Sequence, residues 1–179
     1  AEGYEAGFHH DDGKASDDFQ RRLLANGRKV DHATAGALAV GKTNNLLLAM
    51  CIAGHHGGLP DFGSVANPSG ESTFVGRWRK ALAGGIPPLS AKYTVPPVRL
   101  PPHPLTAPSL SEAFRTRMLY SCLVDADCLD TEQFMQGALP RGGGDSIEML
   151  LDLLQARLCK WSNPETELNR LRQQIQQAC

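Results

Sequence analysis

Leu46-Leu-Leu-Ala-Met-Cys-Ile-Ala-Gly-His-His-Gly-Gly58 is the stretch on which the fold turns. The apolar run from Leu46 to Ala53 has no period that separates strand from helix. Leu, Met and Ala dominate over β-branched residues in it, so it predicts a buried helix within Asn44 to Gly54. Gly57-Gly58-Leu59-Pro60-Asp61 then forces the chain to turn, and at that end the helix sets down two adjacent histidines, His55 and His56.

Outward from this helix the same grammar recurs. Upstream, Asp31 is a start signal for a helix through His32-Ala-Thr-Ala-Gly-Ala-Leu38, whose small residues permit close packing. Ser16 can cap a helix over Asp17 to Leu24, with Phe19, Leu23 and Leu24 on one side and Asn26-Gly27 as its end. Downstream, eight of the twelve prolines lie between Pro87 and Pro108, which predicts an extended, irregular surface loop or insertion. Ser109 and Glu112 have the spacing of a capping box, opening a long helix to about Met135. Its middle, Met118 to Val124, is apolar almost all round and predicts burial on most sides. Asp145 and Glu148 are a second capping pair, opening a helix with apolar positions Ile147, Leu150, Leu151, Leu154 and Leu158 at spacings of three and four. Asn163-Pro164 starts a last helix with a Leu168, Leu171, Ile175 stripe. No convincing run of alternating strands occurs, so the expected class is all-α, with one main domain over residues 1–160 and a C-terminal helix or linker over 161–179.

Bulk properties narrow the function. Eighteen Lys and Arg against nineteen Asp and Glu leave a formal net charge of −1, so no global basic field draws the chain to nucleic acid or anionic lipid. No apolar run comes near the roughly 20 residues that cross a bilayer. The five cysteines are odd in number and form no C-x-x-C pair, which disfavours structural zinc on thiolates and fits a reduced, cytoplasmic compartment. Ala1 to Gly7 has no initiator Met and no preceding helix, which suggests a fragment whose upstream part is missing.

Histidine carries the chemical signal. Five of the six, His9, His10, His32, His55 and His56, fall in the first third, and His10 is followed directly by Asp11. With a carboxylate from the long helix they make an imidazole and carboxylate set that suits Zn, Mn, Fe, Co or Ni, and one bridging carboxylate can hold two such ions about 3.5 to 4 Å apart. Asp125 and Asp127 are the late candidates. Two residues on a helix rotate by about 200°, so only one of them can face the site and the other is structural.

The order H-D, H, H-H, D is the pattern of the HD phosphohydrolase superfamily. The words His10-Asp-Asp-Gly-Lys-Ala-Ser-Asp-Asp-Phe-Gln20, Val30-Asp-His-Ala-Thr-Ala-Gly36, Ile52-Ala-Gly-His-His-Gly-Gly-Leu-Pro-Asp61 and Arg117 to Glu132 resemble the HD nuclease domain of the CRISPR-associated nuclease-helicase of type I systems, closest to its I-C branch. Glu167 to Cys179 is similar to the segment that joins that domain to the first helicase domain, so the likeness covers nearly the whole chain. It implies an HD-domain helical fold with the Pro-rich loop as an insertion, and up to two divalent transition metal ions. His10, Asp11 and Asp127 would serve the first, and Asp11 would bridge to His32, His55 and His56 on the second. Lys14 would be an electrostatic partner of the scissile phosphate.

The implied activity is metal-dependent cleavage of single-stranded DNA, with helicase domains in cis or trans and a guide-RNA surveillance complex as partners and no membrane. The alternatives are another HD nucleotide phosphohydrolase or a catalytically incomplete docking module. Two departures stand out. The family's first metal also takes an upstream His from a helix expected to be absent here. His9 and Asp12 stand where the family usually has apolar residues.

Two further words read as ordinary. Arg77-Trp-Arg-Lys80 could follow a single strand by stacking and phosphate contacts, though a solvated helix face is commoner, and Gly142 to Gly144 lacks the context of a phosphate loop.

Overall fold

A computed structural model describes residues 1–25, 27–64, 66, 73–105, 109–137, 144–159 and 165–178. Among these the chain is all-α: helices α1 (Glu2–His9), α2 (Asp17–Ala25), α3 (Ala33–Gly41), α4 (Leu46–Gly54), α5 (Phe74–Leu82), α6 (Leu110–Gln136), α7 (Ile147–Cys159) and α8 (Glu167–Ala178), with a 3-10 turn at Asp12–Ala15. No strand occurs among the described residues, only two isolated bridges, Ser16 with Leu89 and Asp61 with Thr73. No described helix is long and apolar enough to cross a membrane. The chain divides into two compact units, Ala1–Gly137 and Ala138–Cys179. The boundary expected near residue 160 falls at residues outside the described ones.

In the first unit the start signals act through their side chains, each satisfying an otherwise orphaned helix N–H. The Ser16 hydroxyl accepts from Phe19 N (3.3 Å), Asp31 from Thr34 N (3.1 Å), Thr73 from Gly76 N (3.1 Å) and Ser109 from Glu112 N (3.1 Å). Helix α4 is buried along nearly its whole length, and with α3 it forms the core: Ala37, Val40, Leu48, Ala49 and Ile52 are almost fully enclosed. Ala6 of α1, Phe74 of α5 and Leu123 of α6 close around them. The Cys51 thiol donates to the Thr116 carbonyl, joining α4 to α6.

Several expectations need correction. A helix that the sequence reading did not place, α1, forms over the opening residues despite Gly3 and Gly7, because Glu5, Ala6 and His9 face inward. In α2 only Phe19 is buried, while Leu23 and Leu24 are 65% and 90% exposed, since the helix meets the rest of the unit at its N-terminal end. Helix α6 is not enclosed on most sides. Thr116 and Leu123 are its buried residues, and Met118 and Cys122 are exposed.

The Pro-rich segment is irregular, as expected, but it is tied down. Val98 and Leu100 pack on the core, Asn45 donates to the Pro101 carbonyl, and Ser90 N donates to Ala15 O (3.0 Å).

In the second unit Ser146, not Asp145, caps α7, accepting from Met149 N at 3.2 Å. Thr166 caps α8, accepting from Asn169 N at 3.2 Å; the expected start at Asn163-Pro164 and the loop residues Gly142 and Gly143 lie outside the described residues. Leu168, Leu171 and Ile175 are exposed.

Candidate metal centre

Two glycines bring the H-D word against its partners. A Cβ on Gly36 of α3 would overlap the His9 carbonyl oxygen, and one on Gly13 would overlap the backbone of His32. With hydrogen in place of a side chain, α1 lies directly on α3, and Gly13 N donates to His32 O at 3.1 Å. His10 thus leaves the end of α1, and Asp11 starts the 3-10 turn beside it. His32 sits at the N-cap of α3 and His55 at the C-cap of α4. Asp127 reaches in from α6.

These residues converge as two groups of possible metal donors, Asp11 with His32, His55 and His56, and His10 with His55 and Asp127; within each group one ligand atom per residue lies within 4.8 Å of the others. His32 and His55 Nε2 stand 3.6 and 3.9 Å from Asp11 Oδ1, and His10 Nε2 stands 3.2 Å from Asp11 Oδ2 and 3.5 Å from Asp127 Oδ1. Asp125 is exposed and belongs to neither group, and the structure gives it no partner among the described residues to support a structural role. Lys14 Nζ is 2.5 Å from Asp11 Oδ2, at the rim.

Ring orientation is set from behind. His10 Nδ1 donates to Gly7 O and His55 Nδ1 to Ile52 O, both at 2.7 Å, which fixes these rings in the tautomer that presents a bare Nε2 lone pair. Among the described residues four buried side-chain polar atoms lack a hydrogen-bond partner: His9 Nε2, His10 Nε2, Asp11 Oδ1 and His55 Nε2. Three of the four point into one place. Orphaned buried acceptors cost roughly 1–3 kcal/mol each, so a cluster of them fits a cation.

The electrostatics suit the same role. Burial lowers the His55 pKa to about 4, with the neighbouring His56 and His10 adding to it, and burial also lowers that of His32. Both rings are therefore held toward the neutral form that a metal ligand needs. Burial pulls His10 the same way, but the Asp11 carboxylate 3.2 Å away outweighs it and raises its pKa. Burial opposes the Asp11 charge, yet His10 and Lys14 hold its carboxyl well below the usual range.

Beside His32 and His56 opens a cleft of about 630 Å³ whose wall includes Lys29, Arg77 and Lys80. Arg77 is committed to structure, donating to Ala53 O (2.6 Å) and Thr34 Oγ1 (2.9 Å) and pairing with Asp31 at 3.3 Å. Trp78 packs on the core, where its ring fills the space over Gly41, so it is not a free platform for a base.

His9 turns away from the site. It is fully buried, with Nδ1 2.7 Å from Asp12 Oδ2, and Tyr93 of the Pro-rich segment donates to Asp12 Oδ1 at 2.6 Å. Burial and Asp12 push the Tyr93 hydroxyl up to about 12, so it stays protonated as a donor. The partnership of Glu5, His9, Asp12 and Tyr93 had no signal in the sequence beyond the oddity of two polar residues at apolar positions.

Comparison of the chain with protein-family models, with curated proteins and with solved structures gives no match.

Proposed function

We propose that this chain is an HD-type, metal-dependent phosphodiesterase that cleaves single-stranded DNA, of the kind found in the nuclease-helicase of type I CRISPR systems. One observation carries the metal reading: His10 Nε2, Asp11 Oδ1 and His55 Nε2, buried and without partners, converge with His32, His56 and Asp127. Asp11, His32, His55 and His56 would hold one divalent ion, and His10 with Asp127 and the second oxygen of Asp11 would hold another. His55 has a single free lone pair and so serves one ion only, although its Nε2 lies within reach of both groups. Bound ions would supply Lewis-acid activation of water and neutralisation of charge on the leaving oxygen.

The chain's own residues do the rest. The carbonyls of Gly7 and Ile52 hold the His10 and His55 rings in position, so they need not reorient when substrate arrives. Lys14, shared with Asp11, stands where a phosphate oxygen can compete for its ammonium. The cleft beside His32 and His56 gives an extended strand a way in, and Lys29 on its wall supplies positive charge. Helicase domains and a guide-RNA complex would deliver that strand, which fits a domain with net charge of only −1.

Metal content by elemental analysis, together with cleavage assays in Mn, Ni, Co, Fe and Mg, tests the reading. Metal-dependent cutting of single-stranded DNA is expected. Phosphate release from nucleotides without DNA cleavage would instead make it another HD phosphohydrolase, and absence of bound metal and of activity would leave a docking module.

A further inference from the structure

We infer that Glu5, His9, Asp12 and Tyr93 are positioning residues for the metal centre: a buried polar strut that fixes the aim of His10 and Asp11. The inference rests on the metal-binding reading above.

The two pairs of neighbours in His9-His10 and Asp11-Asp12 divide their work. His10 and Asp11 face the metal-donor cluster, whereas His9 and Asp12 face the interior and are 0% and 3% exposed. Any rotation of this short backbone would therefore move both sets together. On the interior side the contacts to Asp12 are directional, whereas Glu5 stands beside His9 Nε2 without a hydrogen bond to it. His9 Nε2 is 3.5 Å from Glu5 Oε2, its Nδ1 is 2.7 Å from Asp12 Oδ2, and Asp12 Oδ1 takes the Tyr93 hydroxyl at 2.6 Å. The chain of contacts joins three segments: α1, the turn that carries Asp11, and the Pro-rich strap, which is itself fastened at Ser90 N to Ala15 O.

An apolar pair at positions 9 and 12 could fill the same space without specifying an angle. Two hydrogen bonds to the two oxygens of one buried carboxylate do specify one, and removing either leaves that carboxylate underpaired. The strut thus acts on His10 and Asp11 through the backbone it shares with them, so its loss is expected to weaken metal binding by about tenfold, the low end of what loss of a direct partner of a ligand costs.

The test is a calorimetric titration of the whole 179-residue chain with Mn²⁺, with circular dichroism on the same samples. Three proteins are compared: the wild type, Tyr93→Phe, and the double variant His9→Leu with Asp12→Leu. The double variant exchanges the polar pair for an apolar one and so preserves packing. The expected result is a Mn²⁺ affinity lowered about tenfold in both variants at unchanged helix content. Wild-type affinity in both, or affinity lost only in proportion to lost helix, would overturn the strut while leaving the metal site standing. A wild type that takes up no Mn²⁺ would overturn the metal reading itself, and the strut with it.

Discussion

His32 and His56, 24 residues apart in sequence, face each other with their Nε2 atoms 2.9 Å apart. Two imidazole lone pairs repel at that distance unless a proton or a cation lies between them. One ring comes from the start of α3 and the other from just beyond the end of α4, so the packing of these two helices sets the spacing.

Removing either ring should therefore empty the four-residue group. For His32→Ala, and for a double change of His55 and His56 to Ala, Mn²⁺ affinity should fall on the order of 100-fold or more, taking each ligand as roughly a quarter of a four-ligand site. DNA cleavage should be lost while far-ultraviolet circular dichroism stays helical. Wild-type cleavage by the well-folded double variant would rule these histidines out as ligands.

Asp127 and Asp125 should separate cleanly. Asp127 lies 3.5 Å from His10 Nε2, whereas Asp125 is exposed and in neither donor group. Asp127→Asn should weaken a second, looser Mn²⁺ binding event and depress turnover at least tenfold, leaving the tighter ion in place. Asp125→Asn should change neither, and should shift stability by no more than about 0.5 kcal/mol. The reverse ranking in calorimetry would transfer the ligand role to Asp125.

Gly36→Ala should be costly, since the new methyl would overlap the His9 carbonyl and force α1 off α3. A loss of about 1–3 kcal/mol is expected, with metal affinity falling alongside. Gly3→Ala is the control: nothing lies within 4 Å of its Cβ position, and within α1 the change should be neutral or stabilise by up to about 1 kcal/mol. Urea denaturation of the two variants gives the comparison.

Acid should destabilise the metal-free protein well above the carboxylate range. The unfolded chain binds a proton at His55 near pH 6.5, while the folded one refuses it until about pH 4. Between those values the unfolded state holds more protons, so stability falls as pH falls. His32 acts in the same direction. His10, with a raised pKa, opposes them: its contribution is present below pH 6.5 and is lost as pH rises through its folded value. Asp11, held low, adds stability that is lost only in stronger acid. Thermal melts in chelator from pH 7 to 4.5 should show a falling transition, shallower in His55→Gln; equal slopes would contradict the buried neutral ring.

The helices were largely legible because their signals are local. Ser16, Asp31 and Ser109 each announce a helix by a side chain that bonds an N–H three residues on. The depth of burial was not. The apolar middle of α6 resembles a central helix, yet Met118 and Cys122 are exposed, because burial depends on which neighbours arrive and not on the residues themselves. The family resemblance implied the candidate donors, Asp127 among them, while the 200° argument by itself says only that one of Asp125 and Asp127 can face the cluster. The proximity of His55 to both donor groups could not be foreseen, since it depends on a ring held by its own helix's carbonyl. Least legible was the pairing of His9 with Asp12 and Tyr93. An interaction spanning 81 residues leaves no periodic trace.

The donors are unevenly spaced along the chain, and that spacing orders their assembly. Every member of the four-residue group lies between Asp11 and His56, on segments closed by short connections, whereas the three-residue group waits for Asp127. During synthesis from the N-terminus the first set is complete 71 residues before Asp127 is made. The second requires a much longer loop to close and an entire 27-residue helix to dock. Under the proposed metal reading, the site that Asp127 completes is thus the later of the two to assemble, because it depends on the docking of α6.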